Sequence, residues 1–167
     1  KYGTIFDLDL SVFNTVFSNR ILPDYETNPN QIIYSNLDGK SVTQGVTLNI
    51  NSLSANGLKV NLGATFIDSK IIKNNETKYP LLTEKFSGNY RISYTLYNPK
   101  ITFDLSGTVI GPMKLPLLGA LDTRDSHSPV INIMNIQSTY SYKEFELYAG
   151  IKNIFNFKPP SNSIARA

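Results

Sequence analysis

The chain has 167 residues, of which 41% are hydrophobic and 17% charged, and its formal net charge is +3. This composition fits a folded chain of one or two domains and excludes a disordered, highly charged one. The sixteen Lys and Arg residues form no run, which argues against a nucleic-acid surface, and the absence of cysteine excludes disulfides, thiolate metal sites and a Cys nucleophile.

Apolar and polar side chains alternate along most of the chain. Between Phe86 and Tyr97, every second residue starting at Phe86 is apolar or Gly, and the residues between them are polar. A period of two predicts a strand with one apolar and one polar face. The same pattern predicts seven strands in chain order: Thr4–Arg20, Gln44–Asn51, Leu58–Phe66, Phe86–Tyr97, Ile101–Val109, Val130–Tyr142 and a seventh that runs from Phe145 to the neighbourhood of Asn156.

In the first predicted strand, Ile5, Phe13 and Phe17 interrupt the polar face, so we expect its two ends to be covered. After this strand, residues 24–30 predict a loop, and residues 36–40 a turn or bulge before the second strand.

The predicted connections alternate in length. Asn56-Gly57, Asn98-Pro99 and Lys143-Glu144 mark short turns, whereas long loops surround Asn28 and cover residues 71–84 and 111–129. Several of the strands are longer than the ~5–6 residues usual in globular sheets, and a membrane-crossing strand needs ~9–11. Short turns at one rim and long loops at the other are typical of outer-membrane barrels.

Aromatic residues gather beside the predicted short turns, except at the turn near Asn56. Such rings favour the membrane–water interface, so they predict a girdle at this rim. The residues concerned are Tyr2, Phe6, Tyr94, Tyr97, Tyr140, Tyr142, Phe145 and Tyr148.

The order of several segments resembles a known family. Gln44-Gly45-Val46-Thr47-Leu48 is followed by Phe86-Ser87-Gly88-Asn89-Tyr90, and Tyr148 opens the run Tyr-Ala-Gly-Ile-Lys-Asn-Ile-Phe-Asn that ends at Asn156. This arrangement is similar to the C-terminal part of the barrel of TonB-dependent outer-membrane receptors of the Bacteroidetes type. The final run is similar to a family motif that reads Lys-Asn-Leu-Phe-Asn, with Ile154 in place of Leu.

The resemblance implies an all-β, antiparallel, up-and-down transmembrane β-barrel segment, about seven strands of a larger, 22-stranded barrel. Residues 1–157 would form the partial barrel, and residues 158–167 the start of an extracellular loop or an unstructured tail. The family has a further strand that ends on an aromatic residue, a plug domain and a TonB box. Because this sequence shows none of them, we expect a fragment of a longer receptor.

The function implied by the resemblance is active uptake of a scarce nutrient through the outer membrane of a Gram-negative bacterium. The nutrient would be a ferric siderophore, haem, cobalamin or a glycan. Expected partners are outer-membrane lipid, the remaining strands and the plug domain, TonB, and other outer-membrane subunits. Nucleic acid, a cofactor and enzymatic activity are not expected.

Two other interpretations of the pattern stay open. The chain could be a partial barrel or a degenerate receptor that acts as a structural or interaction subunit of an outer-membrane complex. It could also be a soluble β-sandwich or ligand-binding barrel, in which the apolar faces meet in one core and the chain folds without detergent.

The sequence assigns no catalytic, cofactor or metal site. His127, the only histidine, lies near Asp122, Asp125 and Ser126 in a loop, where solvated side chains are the simplest interpretation and calcium binding by the two carboxylates the alternative. The paired carboxylates Asp7 and Asp9 share a strand face and would line a wet lumen.

Ligand-binding residues stay unassigned, because charges on surface loops are mostly solvated. The resemblance implies that the loops 71–84 and 111–129 contribute to binding. Lys73, Lys78 and Arg124 would be the contacts to an anionic ligand.

Overall fold

The structure is a computed structural model that describes residues 3–24, 28, 31–117, 123 and 125–159. These residues contain strands and turns, and no helix among them is long and apolar enough to cross a membrane. The strands are β1 (Thr4–Ser18), β2 (Ile21–Asp24), β3 (Ile33–Asn36), β4 (Lys40–Ser54), β5 (Leu58–Lys73), β6 (Glu76–Lys78), β7 (Phe86–Tyr97), β8 (Lys100–Ile110), β9 (Ile131–Tyr142) and β10 (Phe145–Ile151).

Seven long strands form one antiparallel sheet in the order β1-β4-β5-β7-β8-β9-β10. Each strand pairs with the next long strand along the chain, which confirms the predicted up-and-down arrangement. The register keeps equivalent faces together: Leu10 lies opposite Leu48, and Leu48 lies opposite Ala64. The period of two in each strand therefore adds up to one continuous apolar face and one continuous polar face.

The three short connections are confirmed. Gly57 has a φ of 91°, and its N–H donates to the Ser54 carbonyl oxygen at 3.1 Å. Asn56 Oδ1 accepts a hydrogen bond from the Leu58 N–H at 3.2 Å, which closes the β4–β5 turn. Two-residue turns at 98–99 and 143–144 join β7 to β8 and β9 to β10.

Two long connections contain strands that the sequence pattern did not predict. β5 continues to Lys73, and the chain turns back into β6 at Asn74 and Asn75, whose φ angles are 51° and 63°. Asn adopts this left-handed conformation more readily than most residues. The prediction of a loop over 71–84 is thus wrong for 71–73 and 76–78. The loop predicted at residues 24–30 joins two strands that the pattern did not predict, β2 and β3, and its first residue, Asp24, belongs to β2.

The polar face of β1 is covered at one of its three apolar positions. A Cβ at Gly45 would lie within 2.9 Å of the Phe13 ring, so the ring occupies the space that a side chain there would fill. Ile5 and Phe17 stay 69% and 49% exposed. The expected cover at both ends of the strand is therefore wrong for the described residues, because β1 is an edge strand of the sheet and only the Arg20 guanidinium, 5.7 Å from the ring centroid, lies over Phe17.

The sheet has no hydrophobic core of its own. Among the described hydrophobic residues only Leu37 and Leu115 are buried, whereas Phe6, Leu10 and Val12 on the apolar face are 62%, 61% and 76% exposed. A soluble sandwich buries such a face against a second sheet. The interpretation as a soluble β-sandwich is therefore wrong, because the apolar side chains form an open surface and do not meet one another.

Candidate binding surface: the polar face and the loop cavity

Side-chain amides connect the first three long strands across the polar face. Asn51 Nδ2 donates to Asp7 at 3.1 Å, and Asn61 Nδ2 donates to Asn51 Oδ1 at 2.7 Å. One pair further along, Asn49 Nδ2 donates to Asp9 at 3.3 Å. The two carboxylates thus accept hydrogen bonds from amide donors on the neighbouring strand and are not arranged as an acid–base pair, which supports a role in lining a wet wall.

Hydroxyl pairs continue this polar face toward the other strands. Thr47 and Thr65 lie 3.1 Å apart between their oxygens, as do Thr95 and Thr102. The Arg91 guanidinium lies between these pairs, and no ion pair forms with it within the described part of the chain. The polar face therefore offers amides, hydroxyls, carboxylates and the Arg91 guanidinium, which forms no ion pair among the described residues.

The apolar face ends at a row of polar residues near the long loops. Asn14 lies opposite Gln44, and Gln44 lies opposite Asp68, whose carboxylate pairs with Lys70 Nζ at 2.8 Å. From Leu58 to Asp68, ten residues at ~3.3 Å each and a tilt of ~40° give a height of ~25 Å. This height matches the apolar band of outer-membrane barrels, ~25 Å.

Aromatic rings lie at both limits of this band. At the long-loop limit, the Phe66 and Phe86 rings lie 5.0 Å apart between centroids. At the short-turn limit, Tyr140 and Tyr142 stack at 6.4 Å. The apolar side of this limit also carries Phe6, Tyr94 and Phe145.

Two of the aromatic residues predicted for the girdle belong to the opposite face. Tyr97 and Tyr148 occupy polar-face positions, since Tyr148 lies opposite Thr139 and Tyr97 follows the Thr95 position by two residues. The girdle prediction is wrong for these two, because it used closeness to the turn and ignored strand parity. Tyr2 lies outside the described residues.

A cavity of about 1,040 Å³ lies at the long-loop end of the sheet. Its walls come from β2, from the ends of β4 and β5, from β6 and from the segment 79–84. The charged side chains that line it are the cations Arg20, Lys73, Lys78 and Lys114 and the acids Asp24, Glu76 and Glu84. Among the cavity's aromatic groups is Tyr79, whose ring has Lys85 Nζ 5.1 Å from its centroid.

The predicted ligand contacts divide between this cavity and undescribed residues. Lys73 and Lys78 both line the cavity, and the second loop contributes Lys114. Arg124 lies outside the described residues. The sequence pattern did not predict Arg20 and Lys114 as cavity residues. Part of the cavity wall comes from the β2–β3 hairpin, whose two strands have only four residues each and are too short to be predicted from alternation.

The loop with the single histidine has a simple local structure. His127 pairs with Lys114 in an isolated bridge, and its Nδ1 lies 3.0 Å from Ser126 Oγ. Asp125 is exposed, and Asp122 lies outside the described residues. Within the described ranges no three metal-type ligands come together. Calcium binding at Asp122 and Asp125 stays an untested alternative to solvated loop side chains.

The family motif near the end of β10 forms a compact turn. Asn153 Nδ2 donates to the Phe157 carbonyl at 3.0 Å, and Asn153 Oδ1 accepts from the Phe157 N–H at 2.9 Å. The Asn153 N–H donates to Asn135 Oδ1 at 2.9 Å, which fixes the turn to β9. The motif thus ends β10 at Ile151, after seven residues and beside the middle of the longer β9. The predicted end of this strand near Asn156 is therefore wrong, because the Asn153 side chain closes a turn there.

The chain matches a known protein family but no individual curated protein. A protein-family model described as "TonB dependent receptor-like, beta-barrel" matches residues 1–154, a range that contains all ten strands. No curated protein matches the chain. The match confirms the resemblance at the level of the family, and the Bacteroidetes type stays a prediction.

Proposed function

Since the chain belongs to the TonB-dependent receptor β-barrel family, we propose that it forms part of the wall of a receptor that actively imports a scarce nutrient. Family membership implies transport at the Gram-negative outer membrane and contacts with lipid, a plug domain and TonB. The seven-stranded sheet fits part of a barrel wall.

One observation carries this proposal: an uncovered apolar face about 25 Å tall lies opposite a face of amides and hydroxyls. Water does not stabilise such an apolar surface, whereas a bilayer does, and only closed barrels and helices satisfy their backbone groups in lipid. We therefore orient the apolar face toward lipid and the polar face toward the lumen. Short turns then lie at the periplasmic rim and the loop cavity at the extracellular rim.

The loop cavity is the candidate site of ligand capture. Its volume of about 1,040 Å³ holds a ligand at least as large as a drug molecule, since such sites occupy ~300–1,000 Å³. Its four cations outnumber its three acids, which favours an anionic ligand over a neutral glycan. The ferric siderophore class fits this charge and size.

The test is charge reversal of Lys73 and Lys78 in the full-length receptor, with charge reversal of the exposed Lys100 at the opposite rim as the control. Binding of a panel of anionic ferric siderophores is measured on intact cells. We expect the double variant to bind at least about ten-fold more weakly, because two attractive charges become repulsive. The control should bind as wild type does.

Unchanged binding in the double variant would contradict the assignment of the cavity. A receptor that assembles normally but transports none of the four nutrient classes would instead favour the alternative function, an interaction subunit of an outer-membrane complex.

A further inference from the structure

The apolar face contains a depression of about 630 Å³ that spans β7 to β10. Across its floor, Ser138 on β9 lies opposite Ala149 on β10. On its other side, Ser138 lies opposite Phe103 on β8. Across β8, β9 and β10 at this level of the sheet, one large ring is therefore followed by two small side chains. In the next row, Leu105, Ile136 and Ile151 form an aliphatic wall. We call this depression the Ser138–Ala149 groove.

The groove faces lipid in the proposed orientation. Its walls are aromatic and aliphatic, and its volume lies within the ~300–1,000 Å³ of small-molecule sites. An acyl chain that enters it gains contact with Phe103 and Ile136 on two sides, which a chain on the flat part of the apolar face does not. Dispersion contacts of this kind are individually small and add up along a chain.

A cation lies beyond the short-turn end of the groove, past the Tyr140 and Tyr142 rows, where the proposed orientation puts the membrane interface. Lys143 Nζ lies 5.4 Å from the centroid of the Tyr142 ring, and Tyr142 stacks on Tyr140 with an interplanar angle of 9°. The two tyrosines continue the line of Ser138 along β9 toward the short-turn rim. Lys143 is therefore placed where the phosphate of a lipid headgroup would lie.

The distance between the cation and the groove fits one lipid. From Ser138 to Tyr142, four residues at ~3.3 Å each give ~13 Å along the strand. Half of the hydrocarbon thickness of a bilayer is ~15 Å. At a strand tilt of ~40°, those ~13 Å correspond to a depth of ~10 Å. A phospholipid with its phosphate beside Lys143 thus places the inner half of an acyl chain over Ser138 and Ala149.

We propose that the Ser138–Ala149 groove and Lys143 together hold one anionic phospholipid of the periplasmic leaflet. The inference rests on the proposed function for its orientation, since the short turns must lie on the periplasmic side. Three cations lie within two residues of the short turns, Lys59, Lys100 and Lys143, against the two acids Glu144 and Glu146. This excess favours an anionic headgroup, and the apolar groove favours a single acyl chain over a polar partner.

The experiment counts lipids on the full-length receptor. The protein is purified in detergent, incubated with dioleoylphosphatidylglycerol and analysed by native mass spectrometry, with heat-modifiable gel mobility as the check of folding. Wild type should retain one lipid. Ala149→Leu fills the floor and should weaken retention at least about five-fold, whereas Ala64→Leu makes the same change on β5, away from the groove, and should have no effect.

A second variant tests the headgroup without altering the lipid-facing wall. Lys143→Gln should weaken retention of the anionic lipid about five-fold, the effect expected for one basic residue near an anionic lipid surface. It should leave the weaker retention of a zwitterionic phosphatidylcholine unchanged.

Equal retention by Ala149→Leu and Ala64→Leu would overturn the proposal, and so would full retention by a folded Lys143→Gln. Retention of lipopolysaccharide or of a protein partner in place of the phospholipid would also overturn it. Ligand uptake is measured separately, so a failure of the lipid site and a failure of the proposed transport give different results.

Discussion

An arginine at Ile92 tests which face of the sheet meets lipid. Ile92 lies on the apolar face of β7 between Val60 and Leu105 and is 37% exposed. Its position is central, six residues from Phe86 and five from Tyr97. At ~3.3 Å per residue and a tilt of ~40°, it lies ~13–15 Å from each end of the strand, close to the bilayer midplane.

The expected cost follows from this depth. An arginine on the lipid face at the midplane destabilises a barrel by ~2–4 kcal/mol, which lowers the folding equilibrium constant roughly 30- to 900-fold. The matched control is Asn89→Arg, since Asn89 belongs to the same strand and to the polar face. There the new charge meets water in the lumen, and we expect little loss of stability.

The assay is denaturant unfolding of the full-length protein in phospholipid vesicles, followed by heat-modifiable gel mobility. Ile92→Arg should fold in a smaller fraction and unfold at lower denaturant than Asn89→Arg. Equal stability of the two variants, or a larger loss for Asn89→Arg, would refute the assignment of the faces.

Two further substitutions test local packing by the same unfolding measurement. Gly107→Val should destabilise the sheet by ~1–3 kcal/mol, because the Tyr90 ring lies directly over this glycine. Gly88→Ala should have a smaller effect, since the new Cβ would lie 3.3 Å from its nearest neighbour, the Gly63 carbonyl oxygen. A larger loss of stability for Gly88→Ala than for Gly107→Val would contradict this packing. Asn153→Ala removes both hydrogen bonds to Phe157 at a φ of 51° and should cost ~1–3 kcal/mol, whereas a neutral result would show that the turn does not depend on this side chain.

The long strands could be predicted because the period of two is a local property of the sequence. Phe86–Tyr97 has the same bounds in the structure as in the prediction. The hairpin formed by β2 and β3 could not be predicted, since four-residue strands give too few alternations and one of them contains Pro23. The continuation of β5 could not be predicted for a related reason. The residues after Ile72 are all polar as far as Lys78, so they show no alternation that would distinguish the strand end, the turn at Asn74 and β6 from a loop.

The candidate site was predictable only in part. Lys73 and Lys78 were expected from their loop, but Arg20 comes close to them only because the β2–β3 hairpin folds beside the end of β5. Strand parity was available in the sequence and would have placed Tyr97 and Tyr148 on the polar face. The groove at Ser138 depends on the register between neighbouring strands, which no single strand reveals.

The most direct test of the account is a label scan along β7. These 167 residues contain no cysteine; with any cysteine elsewhere in the full-length receptor replaced, single cysteines at 89 to 96 carry a spin label at one known position each. In bilayers, labels at Tyr90, Ile92 and Tyr94 should collide with lipid-soluble oxygen, and labels at Arg91 and Ser93 with a water-soluble nickel complex. Loss of this alternation, or its inversion, would contradict the claim that the apolar face of the sheet lies against lipid.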